Sequence, residues 1–285
     1  MQIVGNDVSG WQGDIDFDTL KNNANFIIFK DTEGAGFEDP QFKDNQEDAR
    51  LVGLPLGYYH FARPDLGNSA EVEADSFLNS IGQLHEGEVL TLDFEVGFAN
   101  PVQWCKDFLD HIYLHTKTKA LIYLNKSEVR NYDWSPVAKA GYGLWLACYD
   151  NNLITGVWDF VAIQQWTNAQ TVPGINGKVD GDYFFGTVDQ FKAYGYHRPP
   201  QSSPSASISP SSSQSASYSP TISPSPSVSP SSSISPSASL SISPSPSQTV
   251  PTPSTPPPVN PAPAPISFIT RLKIIWAAIK AYFHF

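Results

Sequence analysis

The 285-residue sequence is short of several things that would steer a functional reading. It holds two cysteines, Cys105 and Cys148, too few for a disulfide framework in a domain of this size. One bridge and two buried free thiols both stay open. No Cys and His fall at metal-ligand spacing, so no metal site is expected. Basic residues are sparse: residues 1–198 carry 14 of the 17 Lys and Arg but all 28 Asp and Glu. No cluster of cations forms among them, which argues against nucleic acid as a partner, because phosphate binding needs grouped Lys and Arg. The opening MQIVGNDVSG has no basic start, apolar core or cleavage site, so no signal peptide is expected. A protein working outside the cytoplasmic membrane would then be released by lysis or by an unusual route.

Composition divides what is present into three parts. Residues 1–198 hold every acid and most aromatics, and are long enough to bury a sizeable core. Residues 199–265 are nearly all Ser and Pro and carry no charge. Proline blocks helix and sheet there, and too little apolar area exists to offset chain entropy. This part is expected to be a disordered spacer reaching on the order of 100–200 Å. Residues 266–285 turn apolar and basic.

Within 1–198, short apolar runs recur: IVGNDVSG (3–10), FIIFK (26–30), LGYYHF (56–61), VLTLDFEV (89–96), ALIYLN (120–125), GLWLACYD (143–150), FVAIQQWT (160–167) and KVDGDYFF (178–185). Most are apolar nearly throughout, as in parallel strands buried on both faces. Helical spacing appears between the early runs. In 68–82, Ala70, Ala74, Phe77, Leu78 and Ile81 form a stripe behind the candidate N-cap Asn68. In 100–116, Pro101 opens a helix striped by Cys105, Phe108, Leu109 and Ile112. Segments 16–24 and 40–52 are weaker helical candidates. Strand–helix alternation predicts an α/β fold, an irregular βα barrel with a helix-poor final third. A doubly wound open sheet is the alternative, but GNDVSGWQG after the first run is a poor match to the Gly-rich phosphate loop such sheets carry.

The run EVLTLDFEVG (88–97) places two acids, Asp93 and Glu95, in a segment otherwise built for the interior. On a strand, residues two apart share a face. Side by side in an apolar setting, burial and like charge hold a proton on one while the other ionises. Glycoside hydrolysis needs that division of labour. The bland reading is pairing with Arg or Lys, or capping near Asn100. Asp7 ends the first run, and Asp180 and Asp182 lie in the last. In a barrel, the ends of different strands converge on one mouth. The aromatics Trp11, Tyr58, Tyr59, Tyr123, Trp145, Tyr149 and Trp166 lie close by in sequence, and sugar rings stack on aromatic faces. Acids and aromatics in one cleft point to a carbohydrate site, Trp145 among its candidate substrate-binding residues.

The set DVSGWQGDIDF (7–17), FIIFKDTEG (26–34), GYYHFARP (57–64), LTLDFEVG (90–97), LIYLN (121–125), LWLACY (144–149), IQQWT (163–167) and VDGDYF (179–184) resembles glycoside hydrolase family 25, the lysozymes (muramidases) of bacteria, phages and some fungi. The likeness runs in order over residues 3–192. It implies a catalytic barrel over 1–198 that hydrolyses the β-1,4 bond between N-acetylmuramic acid and N-acetylglucosamine in peptidoglycan. It implies Glu95 as general acid and Asp93 as the acid assisting at the anomeric centre by holding the substrate's N-acetyl group. Asp7 and Asp180 match the remaining groove acids, and Tyr59, Lys30, Tyr123 and Gln165 match groove-lining positions. Asp182 stands where the family often has Asn and is placed with the substrate-binding residues. No cofactor is implied, and a monomer is expected. In the D-x-D-x-E run of chitinase-like barrels, Thr91 replaces the first acid, which counts against that type. The alternative is a non-catalytic wall-binding or adhesion module of the same fold.

The last segment, ISFITRLKIIWAAIKAYFHF (266–285), reads as a basic amphipathic helix. At about 100° per residue, Thr270, Lys273, Ala277, Lys280 and His284 share one face, opposite Phe268, Leu272, Ile275, Ile279, Tyr282 and Phe283. Three cations at a bilayer centre would cost several kcal/mol, so lying on an anionic membrane surface fits better than spanning. Docking on the domain, pairing with another copy and true anchoring remain the other readings. An acidic domain without a signal peptide, joined to such a tail, resembles a phage endolysin.

Overall fold

The computed structural model describes residues 1–150 and 152–199. The Ser/Pro spacer and the amphipathic tail expected from sequence lie outside these residues. The eight apolar runs each supply a strand: β1 (Ile3–Val8), β2 (Phe26–Glu33), β4 (Leu56–Phe61), β5 (Val89–Asp93), β6 (Leu121–Asn125), β7 (Gly143–Ala147), β8 (Ile163–Gln170) and β9 (Val179–Phe184). A two-residue strand, β3 (Phe37–Glu38), folds back on β2 and is too short to leave a pattern. The helices are α1 (Phe17–Leu20), α2 (Phe42–Val52), α3 (Ala70–Ile81), α4 (Pro101–Thr116), α5 (Lys126–Asn131), α6 (Ser135–Lys139) and α7 (Val188–Ala193).

The strands are hydrogen-bonded in the order β1-β9-β8-β7-β6-β5-β4-β2, and a parallel β1–β2 pairing closes the ring. The open doubly wound sheet is thereby excluded. Seven of the eight barrel strands run parallel, while β9 runs against both β8 and β1. Antiparallel neighbours need no crossover helix, which accounts for the direct β8–β9 turn, while the parallel β7–β8 crossover carries no helix among its described residues. The reversal also places the start of β9, not its end, at the mouth formed by the C-terminal ends of the other strands.

Both faces of the strands are covered, and alternation sorts the residues. Outward-facing Ile27, Phe29, Tyr58, Leu90, Leu92, Ile122 and Leu144 pack with Phe77, Ile81, Phe108 and Ile112 of α3 and α4. Inward-facing Phe26, Ile28, Val89, Leu121, Ile163 and Phe184 fill the lower barrel, and Phe191 of α7 joins them. The Phe26 and Phe191 rings stack at 4.5 Å and plug the floor. Gly5 makes room for this plug, since a Cβ there would sit 2.5 Å from the Phe26 ring. Below the floor, the chain after α7 pairs with the segment leading into β5, through Gly87 N to Tyr196 O and Tyr196 N to Glu88 O, each 2.8 Å. Glu88 is clamped there by Arg50, whose guanidinium also donates to Tyr58 Oη.

The N-cap of α3 is Ser69, whose hydroxyl accepts from Val72 N, rather than Asn68. Asn68 instead donates to Glu73, a buried acid that also meets His60 Nε2 at 2.9 Å. Replacing Ser69 with Ala should cost about 1 kcal/mol in urea unfolding. A change of a few tenths or less would show that α3 is held by its packing alone. Cys105 and Cys148 are both buried and free, which settles the thiol question.

Candidate active site

Above the apolar layers, the same inward-facing positions turn polar. β1 contributes Asp7, β2 Lys30, β4 Tyr59 and Phe61, β6 Tyr123, β7 Trp145, β8 Gln165 and β9 Asp180. β5 contributes Asp93, and Glu95 follows just past its end. Together they line a cavity of about 370 Å³, rimmed by Ser9, Trp11, Tyr149 and Asn168. The expected sharing of a face by Asp93 and Glu95 holds: both open into this cavity, while Leu92 and Phe94 are fully buried on the other side. Phe94 N continues the ladder to Tyr123 O at 3.1 Å, keeping the backbone extended between the two acids.

Nine of the ten residues picked from sequence meet here. The exception is Asp182, which lies below the lining and is fully buried. Its Oδ1 accepts from Trp145 Nε1 at 3.0 Å, so it supports a lining residue and does not itself face substrate. The cause is the reversed direction of β9: stepping from Asp180 to Asp182 leads down into the barrel. Two aromatics are also reassigned. Tyr58 belongs to the outer core, and Trp166 stacks on Tyr183 at 5.4 Å, outside the lining. Trp11 is 94% exposed at the rim, free to meet a flat ligand face. Phe61, Ser9 and Asn168 join the lining without having been singled out. Phe61 carried a signal, since it follows Tyr59 by two within one strand.

The polar side chains interlock. Tyr123 Oη and Tyr149 Oη both donate to Gln165 Oε1, at 2.9 and 2.6 Å. This orients the amide so that Gln165 Nε2 donates to Asp7 Oδ2 at 2.9 Å. Lys30 meets Glu33 at 2.6 Å and lies 5.0 Å over the Phe61 ring, and Arg63 holds Glu33 from the other side at 2.7 Å. Lys30, the one cation lining the cavity among the described residues, is therefore already engaged by an acid.

With so little positive charge beside them, the four acids that line the groove are all pushed toward the protonated form. Burial, then repulsion by Glu95 and Asp7, hold Asp93 well above the usual carboxylate range. Its Oδ1 is buried with no partner among the described residues. Glu95 is raised by partial loss of water and then by Asp180. Asp7 is pushed up to about 8 by burial and then by Asp180. Burial raises Asp180 as well. A side chain whose neighbours disfavour ionisation is suited to giving or holding a proton.

Two other features lie apart from the groove. A cavity of about 360 Å³ among Tyr142, Trp158 and Tyr194 contains one acid, Asp159, and no carboxylate pair. On α3 and α4, the donor atoms of Asp75, His111 and His115 lie within 4.8 Å of one another, outside the groove, with His111 held by Asp75 at 2.7 Å.

Comparison with known proteins gives a consistent set of likenesses. The sequence profile of glycosyl hydrolases family 25 matches residues 6–175. Lysozyme M1 of Streptomyces globisporus is 29% identical over 209 residues, covering 67% of this chain and 70% of its own. The crystal structure of the bacterial lysozyme from Streptomyces coelicolor superposes with a TM-score of 0.61 at 25% identity, covering 68% of this chain and 96% of that one. The CTP1L endolysin superposes with a TM-score of 0.58 at 29% identity, over 67% and 69% of the two chains.

Proposed function

The chain belongs to glycosyl hydrolases family 25 and is a glycoside hydrolase, and from this we propose that it is a lysozyme (N-acetylmuramidase) cutting the β-1,4 bond between N-acetylmuramic acid and N-acetylglucosamine in peptidoglycan. The observation that carries the reading is the pair Asp93 and Glu95, opening side by side into one groove at different depths. A glycan strand laid along the groove presents ring faces to Trp11 and Tyr149 at the rim. Glu95, at the exposed edge, reaches the glycosidic oxygen and protonates it as the bond breaks.

In the open groove the proton sits more firmly on Asp93, because Asp93 is the more deeply buried of the two. Substrate reverses that order. A sugar ring covering Glu95 removes its water and disfavours its charge. The N–H of an N-acetyl group donated to the unpartnered Asp93 Oδ1 favours the Asp93 anion. The pair then holds its proton where the leaving oxygen needs it. The Asp93 anion steadies the acetamido group and the positive charge that grows at the anomeric carbon. Asp7 and Asp180, on the far wall, disfavour ionisation of Asp93 and Glu95 and so help the pair keep its proton. The site of action is the cell wall, outside the cytoplasmic membrane.

The bond is tested by digesting purified peptidoglycan, reducing the products with borohydride and reading the new ends by mass spectrometry. N-acetylmuramitol at the new ends is expected. N-acetylglucosaminitol would overturn the bond assignment, and wall binding without new ends would favour the adhesion module.

A further inference from the structure

Asp182 is the acid that the proposed chemistry does not use, and its surroundings are unusual. It pairs in register with Gly5 of β1 and Gln165 of β8, in the layer directly beneath Asp7. Oδ1 is satisfied by the Trp145 indole. Oδ2 is buried and has no donor to accept from among the described residues. The side chain in hydrogen-bonding contact with Asp182, besides Trp145, is another acid, Asp7. Asp7 in turn accepts from Gln165.

We propose that Asp182 is a positioning residue that carries a proton in the working protein and donates it to Asp7, fixing the Asp7 carboxyl under the groove while its other oxygen holds Trp145. The argument is one of accounting. Two carboxylates have only acceptors, so a contact between them needs a proton. The groups facing Asp182 are Asp7 from β1, Asp180 from its own strand, and the neutral Gln165 and Trp145 from β8 and β7. Higher in the barrel stand Tyr59, Asp93 and Glu95, and Lys30 is engaged by Glu33. Among the described residues no cation is left to balance a second charge, and an unbalanced buried charge is far costlier than a neutral acid. The deeper member holds the proton, because Asp182 has no exposed surface while Asp7 borders the groove. Burial and then Asp7 keep Asp182 well above the usual carboxylate range. Through Asp7 and Gln165 the same proton braces the hydroxyls of Tyr123 and Tyr149.

The inference rests on the lysozyme reading only for its effect on rate. The test compares the wild-type chain with Asp182→Asn and Asp182→Ala. Asn can donate to Asp7 and accept from Trp145 without titrating, so it should restore what Ala loses. Ala should lower kcat for wall clearing roughly tenfold or more with little change in KM, and Asn should stay within a few-fold of wild type. An Asn variant as slow as Ala would overturn the donor role. Two further readouts need no substrate. Folding of the wild type takes up a proton at Asp182 above the unfolded carboxyl pKa of about 3.9, so its stability falls as pH rises past that value. The melting-temperature advantage of Asp182→Asn should therefore widen from about pH 4 to neutrality. Infrared difference spectra should show a protonated-carboxyl band at neutral pH that the Asn variant lacks. A constant melting gap, or no such band, would mean that Asp182 is ionised and the proposal is wrong. If the wild type clears no wall, the proposed function falls, while melting and infrared still decide the state of Asp182.

Discussion

Glu95→Gln lowers the rate of wall clearing by about 10²–10⁴-fold, the usual contribution of a positioned general acid. The substitution keeps the size and hydrogen-bonding capacity of the side chain and removes only the proton it can give. Its structural cost is small. The Glu95 carboxyl has no hydrogen-bond or ion-pair partner among the causes that set its proton affinity, only lost water and two acids, Asp180 and Glu128. Removing its charge relieves that repulsion, so circular dichroism should be unchanged and the melting temperature equal or higher. The wild type should also lose activity on the alkaline side, as Glu95 gives up the proton that its surroundings help it keep. Clearing by Glu95→Gln at the wild-type rate would remove Glu95 from the mechanism.

Asp93→Asn is expected to slow turnover by about a hundredfold or more, because a neutral amide cannot face the growing positive charge as an anion does. It is also expected to make the protein more stable at neutral pH. Asp93 is buried beside Glu95 and Asp7, with one oxygen unpartnered, and holds its proton far above the ordinary carboxylate range. Its unfolded counterpart ionises near pH 3.9. Above that point, folding binds a proton that the unfolded chain lacks, so wild-type stability declines as pH climbs toward the folded-state pKa. Asn does not titrate, so the two melting curves should converge near pH 4 and separate as pH rises. Equal melting at pH 4 and pH 7 would show that Asp93 is ionised in the folded protein. Full activity in the variant would remove it from catalysis. A gain in stability paired with a loss of rate would mark this acid as kept for chemistry and not for folding.

Much of this arrangement was legible in the chain before any coordinates. Period-two alternation told which side of each strand an acid occupies, and strand ends told which acids meet. Asp7, Asp93 and Glu95 were readable for that reason, while Asp180 was separated from Asp182 only by the family resemblance. Tyr58 and Tyr59 show how fine the signal is. They are neighbours, yet one packs outward under Arg50 and the other lines the groove. Only the phase of β4, read from Gly57 and Phe61, separates them. The depth of Asp182 was not legible. A strand's own pattern is the same in either direction, so nothing in VDGDYF announced that β9 runs downward from the mouth. Ser9 and Asn168 reach the groove through turns, where no periodicity operates. The N-cap of α3 slipped by one because Asn68 and Ser69 are both good caps, and Asn68 was claimed by Glu73.

The pairing of residues 196–198 with the segment leading into β5 has a practical side. It brings the backbone out on the blind end of the molecule, across the full height of the strands from the cleft. A bead or surface coupled at residues 197–199 would therefore grip the protein from behind and leave the cleft pointing outward. Coupling through the N-terminal side is equally remote, because β1 enters from that same end.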